Sequence, residues 1–148
     1  MEYTIQYYLN VKDVIQRKEI TDKNLLERIT RYLYDNIGNR TIIKTITDNI
    51  EGLEKNSSYN TISNYINALL DSYLIFRANR YDIKEKEYLK TQEKYYAIDI
   101  GLRYYMLGQN SGKDMGHILE NVVYLELKKM YETIPIGEIY EYKSFKRN

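Results

Sequence analysis

The sequence predicts a mostly helical α+β fold, and three observations lead to this prediction. Hydrophobic residues make up 43% of the 148 residues, which is typical of a globular chain that buries a core. In the first half of the chain, apolar residues recur at helical spacing. After residue 73 the period changes, and two segments take on the β-branched and aromatic content of strands.

Four helices are predicted before the strands, each with apolar residues along one face. Thr21 or Asp22 caps the second helix, because a side-chain oxygen there accepts bonds from the first free N–H groups. Gly38 provides its left-handed stop. Ser57 or Ser58 caps the fourth helix in the same way as the second. The predicted ranges are 3–17, 21–38, 42–50 and 57–73.

The second half of the chain is predicted to begin with a β-ribbon. Its two strands are 74–81 and 94–99, and the charged run 82–93 between them is expected to form the hairpin tip. The elements predicted to follow are a short helix at 102–106, a long helix at 114–132 and a possible last strand at 134–142. Helices followed by a two-stranded ribbon are the order of a winged helix-turn-helix, which we expect to occupy residues 1–93.

Composition excludes several classes of function. The 22 Lys and Arg residues nearly balance the 21 Asp and Glu residues, so contact with a polyanion would need a local basic patch. The chain has no cysteine and a single histidine, His117, which excludes thiolate sites and multi-histidine zinc sites. No apolar run reaches the ~20 residues of a membrane span, and the first residues do not resemble a signal peptide. We therefore expect a cytoplasmic protein without membrane contact.

The fourth helix is a candidate recognition helix for nucleic acid. Asn60, Thr61 and Asn64 lie near its start, and their side chains suit contacts with base edges or phosphates. Residues 57–76 contain no Lys or Arg, however, whereas helices that read sequence usually carry at least one. The alternative is a packing helix with a polar solvent face.

Basic residues collect instead on the predicted ribbon. Arg77, Lys84 and Lys86 are candidates for phosphate contacts from a wing. The other basic residues of the ribbon are Arg80, Lys90 and Lys94. Glutamates alternate with these residues, so a solvated hairpin of mixed charge is the alternative.

Two acidic residues stand at positions where a metal ligand is conceivable. Asp99 follows an apolar run, yet it equally suits the N-cap of the next helix. Glu120 shares a helix face with apolar residues, and burying its charge requires a ligand or a partner. Pairing with His117 or Arg103, or partial exposure, is the alternative to a catalytic role.

Several segments of the chain carry a family resemblance. They are KDVIQR, TDKNLLERITRYLYDNIGN, TISNYINALLDSYLIFRANRYDIK, EKYYAIDIGLR and GHILENVVYLELKK. Together they resemble, over residues 7–129, the uncharacterised C-terminal domain of bacterial and archaeal AAA-type ATP-binding proteins. The resemblance implies a winged helix followed by a fold similar to restriction endonucleases, placed after a P-loop ATPase and associated with DNA. It matches Glu120 to the first acidic position of the nuclease-like core.

Two departures from that pattern limit what the resemblance implies. The chain has no G-x-x-x-x-G-K-[ST] loop, so ATP binding is not expected. After Lys129 the expected acidic strand is missing, and an E-x-K at residues 141–143 has no acidic partner at the expected spacing. We therefore expect residues 94–148 to form a truncated nuclease-like remainder in which Glu120 is a vestigial metal position.

These observations predict a non-catalytic module without a cofactor or a metal. Its expected role is nucleic-acid binding, with double-stranded DNA as the partner, or regulation of an AAA-type ATPase domain. The first alternative is a protein–protein or homodimer interaction module that does not bind DNA. The second is a metal-dependent nuclease that is completed by another chain.

Overall fold

The computed structural model describes residues 12–18, 20–50, 59–82, 87–108 and 115–131. Within these ranges, a helical segment at 12–17 is followed by five further helices and three strands. In chain order the elements are α1 (Lys23–Asp35), β1 (Arg40–Thr41), α2 (Ile43–Asn49), α3 (Tyr59–Asp71), β2 (Ile75–Asp82), β3 (Glu87–Ala97), α4 (Ile100–Leu107) and α5 (Met115–Met130). The predicted mixed and mostly helical α/β character is confirmed.

The three strands form one antiparallel sheet in the order β1-β3-β2. The middle strand pairs Lys94 with Arg40 on one side and with Ala78 on the other. The register between β2 and β3 shifts between Ala78 and Arg80. Strand β1 was not predicted, because two residues are too few to show an alternating pattern.

The predicted tip of the ribbon was largely wrong. β3 begins at Glu87, so the charged residues from Glu87 to Glu93 belong to a strand, and only residues 83–86 lie between β2 and β3. The low strand propensity of Glu and Lys is overridden here by backbone pairing with β2. β3 also passes through the predicted boundary at residue 93, while the division into units 1–93 and 94–148 stays a prediction.

The main core lies between the helices and one face of the sheet. α1 begins at a capped end, because the Asp22 side chain accepts a hydrogen bond of 2.9 Å from the Leu25 amide. Gly38 has the predicted left-handed backbone, with φ of +73°, but α1 ends before it, at Asp35, and the Gly38 amide donates to the Tyr95 carbonyl oxygen of the sheet. Buried apolar residues of α1, α3 and the sheet complete this core: Leu26, Ile29, Leu33, Ile62, Ile66, Leu69, Ile75, Tyr95 and Ala97.

Helix α5 covers the opposite face of the sheet. The Tyr124 ring stacks on the Tyr96 ring with centroids 4.1 Å apart, and both pack with Ala78 and Phe76. The bounds of α5 agree with the predicted helix at 114–132. The sheet is therefore covered by helices on both faces, with α1 and α3 on one face and α5 on the other.

Other predicted features fall partly or wholly outside the described residues. These are most of the helix at 3–17, the caps Ser57 and Ser58, and the strand at 134–142. Asp99 caps α4, since its Oδ1 accepts a hydrogen bond of 3.0 Å from the Leu102 amide, so the capping interpretation is confirmed. No helix in the described part of the chain has both the length and the apolar character needed to cross a bilayer.

Candidate functional site

The predicted recognition residues lie in the first half of α3. Asn60 and Asn64, one turn apart, are exposed on the same side of the helix, and Thr61 is half-buried. On the inner side, Ile62 and Ile66 anchor the helix to the core. The sequence prediction of which side of this helix faces solvent is therefore confirmed for the two asparagines.

A groove of about 510 Å³ runs beside α3, between that helix, the start of α2 and the outer half of β2 and β3. We call it the α3 groove. Its lining residues are Thr41, Ile42, Ile43, Lys44, Tyr59, Ser63, Arg77, Asn79, Gln92 and Glu93. Of the predicted contacts it contains Arg77, and it adds Lys44, which sequence reasoning missed. Lys44 stands in a helix apart from the predicted ribbon, and only the fold brings it near Arg77.

In the α3 groove, the negative side chain is held by a closer contact than the positive side chains. The Arg77 Nη1 lies 3.9 Å from Glu93 Oε1, a loose contact between groups that are partly in water. The Tyr95 hydroxyl donates a hydrogen bond of 2.7 Å to Glu93 Oε2. Burial, together with this bond to Glu93, raises the pKa of Tyr95. The carboxylate is thus fixed at the floor of the groove, while Lys44 and Arg77 are exposed.

The remaining wing residues are divided between described and undescribed parts of the chain. Lys84 and Lys86 lie outside the described residues, as does the side chain of Lys90. Arg80 donates a hydrogen bond of 3.3 Å from Nη1 to Gln92 Oε1 on the neighbouring strand. Lys94 was wrongly grouped with the wing cations, because its side chain is only 1% exposed.

Lys94 belongs to a second cluster, which lies between the sheet and α5. Its Nζ is 2.7 Å from Glu120 Oε1, and the Tyr96 hydroxyl donates to the same oxygen at 2.7 Å. His117 Nδ1 lies 3.6 Å from the other oxygen, Oε2. We call Lys94, Tyr96, His117 and Glu120 the α5 cluster. Of the two partners predicted for Glu120, the pairing with His117 is observed, and the partial exposure is confirmed at 33%.

The α5 cluster holds Glu120 in its charged form. Burial alone would raise the pKa of Glu120, but the hydrogen bonds from Lys94 and Tyr96 and the charges of Lys94 and His117 lower it. Burial and the bond to Glu120 raise the pKa of Tyr96. The other predicted partner, Arg103, is buried and donates from Nε to the Tyr34 carbonyl oxygen at 2.7 Å.

The backbone around the α5 cluster leaves little space. A Cβ atom added at Gly38 would lie 2.8 Å from His117 Nδ1 and 3.3 Å from Glu120 Oε2. Gly38 therefore serves two purposes. It adopts the left-handed backbone of the turn between α1 and β1, and its missing side chain lets His117 and Glu120 of α5 lie close to that turn. Both carboxylate oxygens of Glu120 thus face protein groups.

The α5 cluster lacks the composition of a metal centre. Among the described residues, no group of three or more His, Asp or Glu side chains is arranged to hold a metal ion. The ammonium group of Lys94 lies next to Glu120. In a metal centre, the metal ion or a second acidic ligand would stand at this position. Chemically, this arrangement can join α5 to the sheet through a charge-assisted bond.

Residues 2–113 match the family described as Domain of unknown function (DUF8612). This match covers more than half of the chain. The chain belongs to this family. The α3 groove lies within the matched residues, whereas Glu120 and the whole of α5 lie after them.

The DUF8612 chain also resembles two longer proteins. It is 31% identical over 129 residues to an uncharacterised protein of Haemophilus influenzae, and 31% identical over 118 residues to the uncharacterised protein MJ1544 of Methanocaldococcus jannaschii. These alignments cover 87% and 80% of this chain but 32% and 26% of the relatives. The chain thus spans between a quarter and a third of the length of these relatives. No solved structure matches it.

Proposed function

We propose that this chain is a winged helix-turn-helix module that binds double-stranded DNA and has no catalysis of its own. In this proposal α3 is the recognition helix, and the ribbon of β2 and β3 is the wing. The α3 groove carries the proposal, because two exposed cations, Lys44 and Arg77, line it together with Tyr59 and Ser63 of α3.

The order of the elements supports the winged-helix interpretation. A helix, a short strand, two helices and a β-ribbon follow one another, and the ribbon joins the short strand in the sheet order β1-β3-β2. α2 and α3 correspond to the helix pair of such a motif. In that motif, the second helix enters the major groove. The major groove of B-DNA, about 12 Å wide, admits one α-helix.

The side chains around α3 support contacts of two kinds. Lys44 and Arg77 flank the groove and are suited to phosphates, which position a protein on the duplex without reading its sequence. Asn60 and Asn64 project from the exposed side of α3, and an amide side chain pairs with adenine through two hydrogen bonds. Thr61 stays a candidate for a phosphate or base contact at the margin of this side.

The wing supplies the remaining predicted contacts. Lys84 and Lys86 belong to the stretch between β2 and β3, which lies outside the described residues. In this proposal, their charges contact phosphates of the duplex. Their contribution is proposed from the sequence alone.

A salt titration with charge-reversal variants tests this proposal. Fluorescence anisotropy of a labelled duplex gives the affinity at several salt concentrations, and each phosphate contact adds about 0.9 to the slope of log K against log salt. We expect Lys44→Glu and Arg77→Glu to lower both the affinity and the slope, and Lys84→Glu combined with Lys86→Glu to do the same. Lys129→Glu is the matched control, since Lys129 is exposed on α5, on the opposite face of the sheet.

The side chains of Asn60 and Asn64 require a separate measurement. Asn60→Ala and Asn64→Ala are expected to reduce discrimination between duplex sequences by about 1–3 kcal/mol per lost base contact while leaving the salt slope unchanged. The proposal is wrong if the unmodified chain binds duplex DNA with no dependence on salt, or if Arg77→Glu and Lys129→Glu bind equally well.

The proposed context is regulation of an AAA-type ATPase domain. The resemblance over residues 7–129 supports it, and the longer relatives leave room for such a domain. The absence of catalysis is proposed because Lys94 occupies the position beside Glu120. We expect no DNA cleavage with magnesium or manganese, and cleavage that is abolished by Glu120→Ala would contradict this part.

Protein interaction through the same groove is the second candidate function. Tyr59, 65% exposed, and Ile42 are apolar side chains open to solvent in the α3 groove, and α3 itself carries no cation. A protein partner or a second copy would favour such a surface more than a duplex would. Light scattering that shows a dimer which Tyr59→Ser dissociates, with no effect of added DNA, would favour this candidate.

A further inference from the structure

Strand β3 contains a bulge beside the α3 groove. The register between β2 and β3 shifts between Ala78 and Arg80. As a result, residues 90–93 of β3 stand opposite the single residue Asn79 of β2. Extra residues in one strand bend it and redirect its side chains, and such bulges are frequent next to functional sites. At this bulge, Asn79 and Gln92 are exposed and line the α3 groove.

Gln92 adopts a left-handed backbone conformation at the bulge, with φ of +60°. Glycine takes this conformation without steric cost, whereas the Cβ atom of a glutamine crowds its own backbone. The Gln92 Oε1 accepts a hydrogen bond of 3.3 Å from Arg80 Nη1, at the surface of the chain. Because an exposed bond of this length contributes little to folding, stability does not account for a glutamine at this position. Residues with a strained backbone are concentrated at binding sites.

We propose that Gln92 is a specificity-determining residue that reads an A·T base pair of duplex DNA, and that Arg80 orients its side chain. This inference rests on the proposed function, because it adds a base contact from the wing to those from α3. A glutamine amide pairs with adenine through two hydrogen bonds, in which its oxygen accepts from N6 and its nitrogen donates to N7. The amide oxygen has two lone pairs, so it can accept from Arg80 and from adenine together.

The surroundings of Gln92 fit this role. Gln92 lines the same groove as Ser63 of α3, so it stands on the wing side of the surface that the recognition helix offers to a duplex. Glu93 also lines the groove, but its carboxylate accepts a hydrogen bond from the Tyr95 hydroxyl at 2.7 Å and lies 3.9 Å from Arg77 Nη1. Because the Gln92 amide is uncharged, it does not compete with these groups for the carboxylate.

Selection from duplexes with a randomised central segment tests the proposal. The unmodified chain and Gln92→Gly are used at the same salt concentration, and sequencing of the bound duplexes gives the base preference at each position. We expect Gln92→Gly to reduce the preference for A·T at one position by about fivefold or more, the effect of one lost base contact. Preferences at the positions that Asn60 and Asn64 read should remain. Arg80→Met removes the donor that orients the amide, and it should weaken the preference at the same position as Gln92→Gly.

Tyr73→Gly is the matched control. Tyr73 is also exposed and also has a left-handed backbone, with φ of +54°, but it does not line the α3 groove. Both glycine variants remove the same crowding of the backbone, so neither should lower the urea concentration at the midpoint of unfolding. Only Gln92→Gly should change the base preference. A changed preference in Gln92→Gly that comes with a lower midpoint would assign Gln92 a structural role and overturn the proposal.

The selection distinguishes this inference from the proposed function. Equal base preferences in Gln92→Gly and in the unmodified chain show that Gln92 reads no base. An equal loss of affinity for all duplexes, with the preferences kept, assigns Gln92 to a phosphate instead. Either result overturns the inference, while DNA binding by the module stands if Arg77→Glu still weakens it. An unmodified chain that retains no duplex overturns both.

Discussion

At the scale of single residues, Lys94 and Glu120 determine how α5 meets the sheet. Lys94 lies in the middle strand and is almost fully buried, while Glu120 keeps a third of its side chain in contact with water. A buried charge costs several kcal/mol unless it is paired. The two members of this pair are therefore unequal, because Glu120 can turn toward solvent and Lys94 cannot.

This inequality predicts an order of stabilities. We expect Glu120→Ala to lower the free energy of unfolding by about 3 kcal/mol or more, because it removes the carboxylate from a buried ammonium. Lys94→Met should cost less, about 1–2 kcal/mol, because a methionine fills the space and Glu120 gains water. Urea unfolding followed by circular dichroism measures both.

The double variant completes this comparison. Lys94→Met with Glu120→Ala should be more stable than Glu120→Ala alone, since no buried charge is then left without its carboxylate. A cost for Lys94→Met that exceeds the cost for Glu120→Ala would contradict this account. Strict additivity of the two changes would also contradict it.

The sequence indicated that Glu120 needs a partner, but it did not indicate that Lys94 is this partner. Helical spacing placed this carboxylate among apolar neighbours, which indicated that it needs a partner. Lys94 stood in a run of alternating charges, where nothing distinguishes a buried lysine from a solvated one. The contact joins residues 26 positions apart in the chain, through a helix and a strand whose packing no local pattern encodes.

At the scale of elements, Asn121 attaches α5 to the end of β3. Its Oδ1 accepts a hydrogen bond of 2.8 Å from the Ala97 amide, and its Nδ2 donates one of 2.8 Å to the Ala97 carbonyl. Asn121 is wholly buried, so these two bonds satisfy backbone groups that water does not reach. An asparagine inside a helix thus acts as an extra strand partner.

Replacing Asn121 is expected to release α5. Asn121→Ala leaves a buried amide and a buried carbonyl without partners, at a cost of about 2–3 kcal/mol. Hydrogen exchange should then quicken in α5 while the amides of α1 and α3 stay protected, since those helices pack on the other face of the sheet. The matched control is Asn67→Ala on the exposed side of α3, which should change stability by no more than about 0.5 kcal/mol. Uniform acceleration across the whole chain would contradict local release.

The predictability of each element followed the strength of its local pattern. The start of α1 was predicted well, because its apolar stripe and the Asp22 cap indicate the same helix, whereas its end was placed three residues late, at Gly38. β3 was assigned only its last residues, because the charged stretch that precedes them has no strand signature and depends on β2 for its structure. The α3 groove was half predicted, since Arg77 belonged to the ribbon and Lys44 came near it only through the fold.

At the scale of the whole molecule, the sheet separates two surfaces. The α3 groove and its cations lie on one face, and α5 lies on the other. Buried tyrosines lie between the sheet and its helices on both faces. Tyr95 is on the first face, and Tyr96 and Tyr124 are on the second. Both helical layers therefore depend on phenol groups that remain uncharged in the folded chain.

These tyrosines predict a loss of stability at alkaline pH. Burial raises the pKa of Tyr95 and Tyr96 above the ordinary 10.0, and that of Tyr124 to about 12. A pKa raised by folding stabilises fully below the unfolded value, and this stabilisation is lost as the pH rises through the folded value. We expect the free energy of unfolding to begin falling near pH 10, by roughly 1 kcal/mol per buried tyrosine for each further pH unit.

Single phenylalanine variants separate the tyrosines from other groups that titrate in this range. Tyr96→Phe and Tyr124→Phe should each make the decline above pH 10 shallower in urea unfolding, whatever their effect on stability at neutral pH. Tyr59→Phe is the control, because Tyr59 is a tyrosine with an exposed side chain. The cause of this dependence is the burial of the phenols, so an equal slope in all three variants would show that the alkaline transition arises elsewhere.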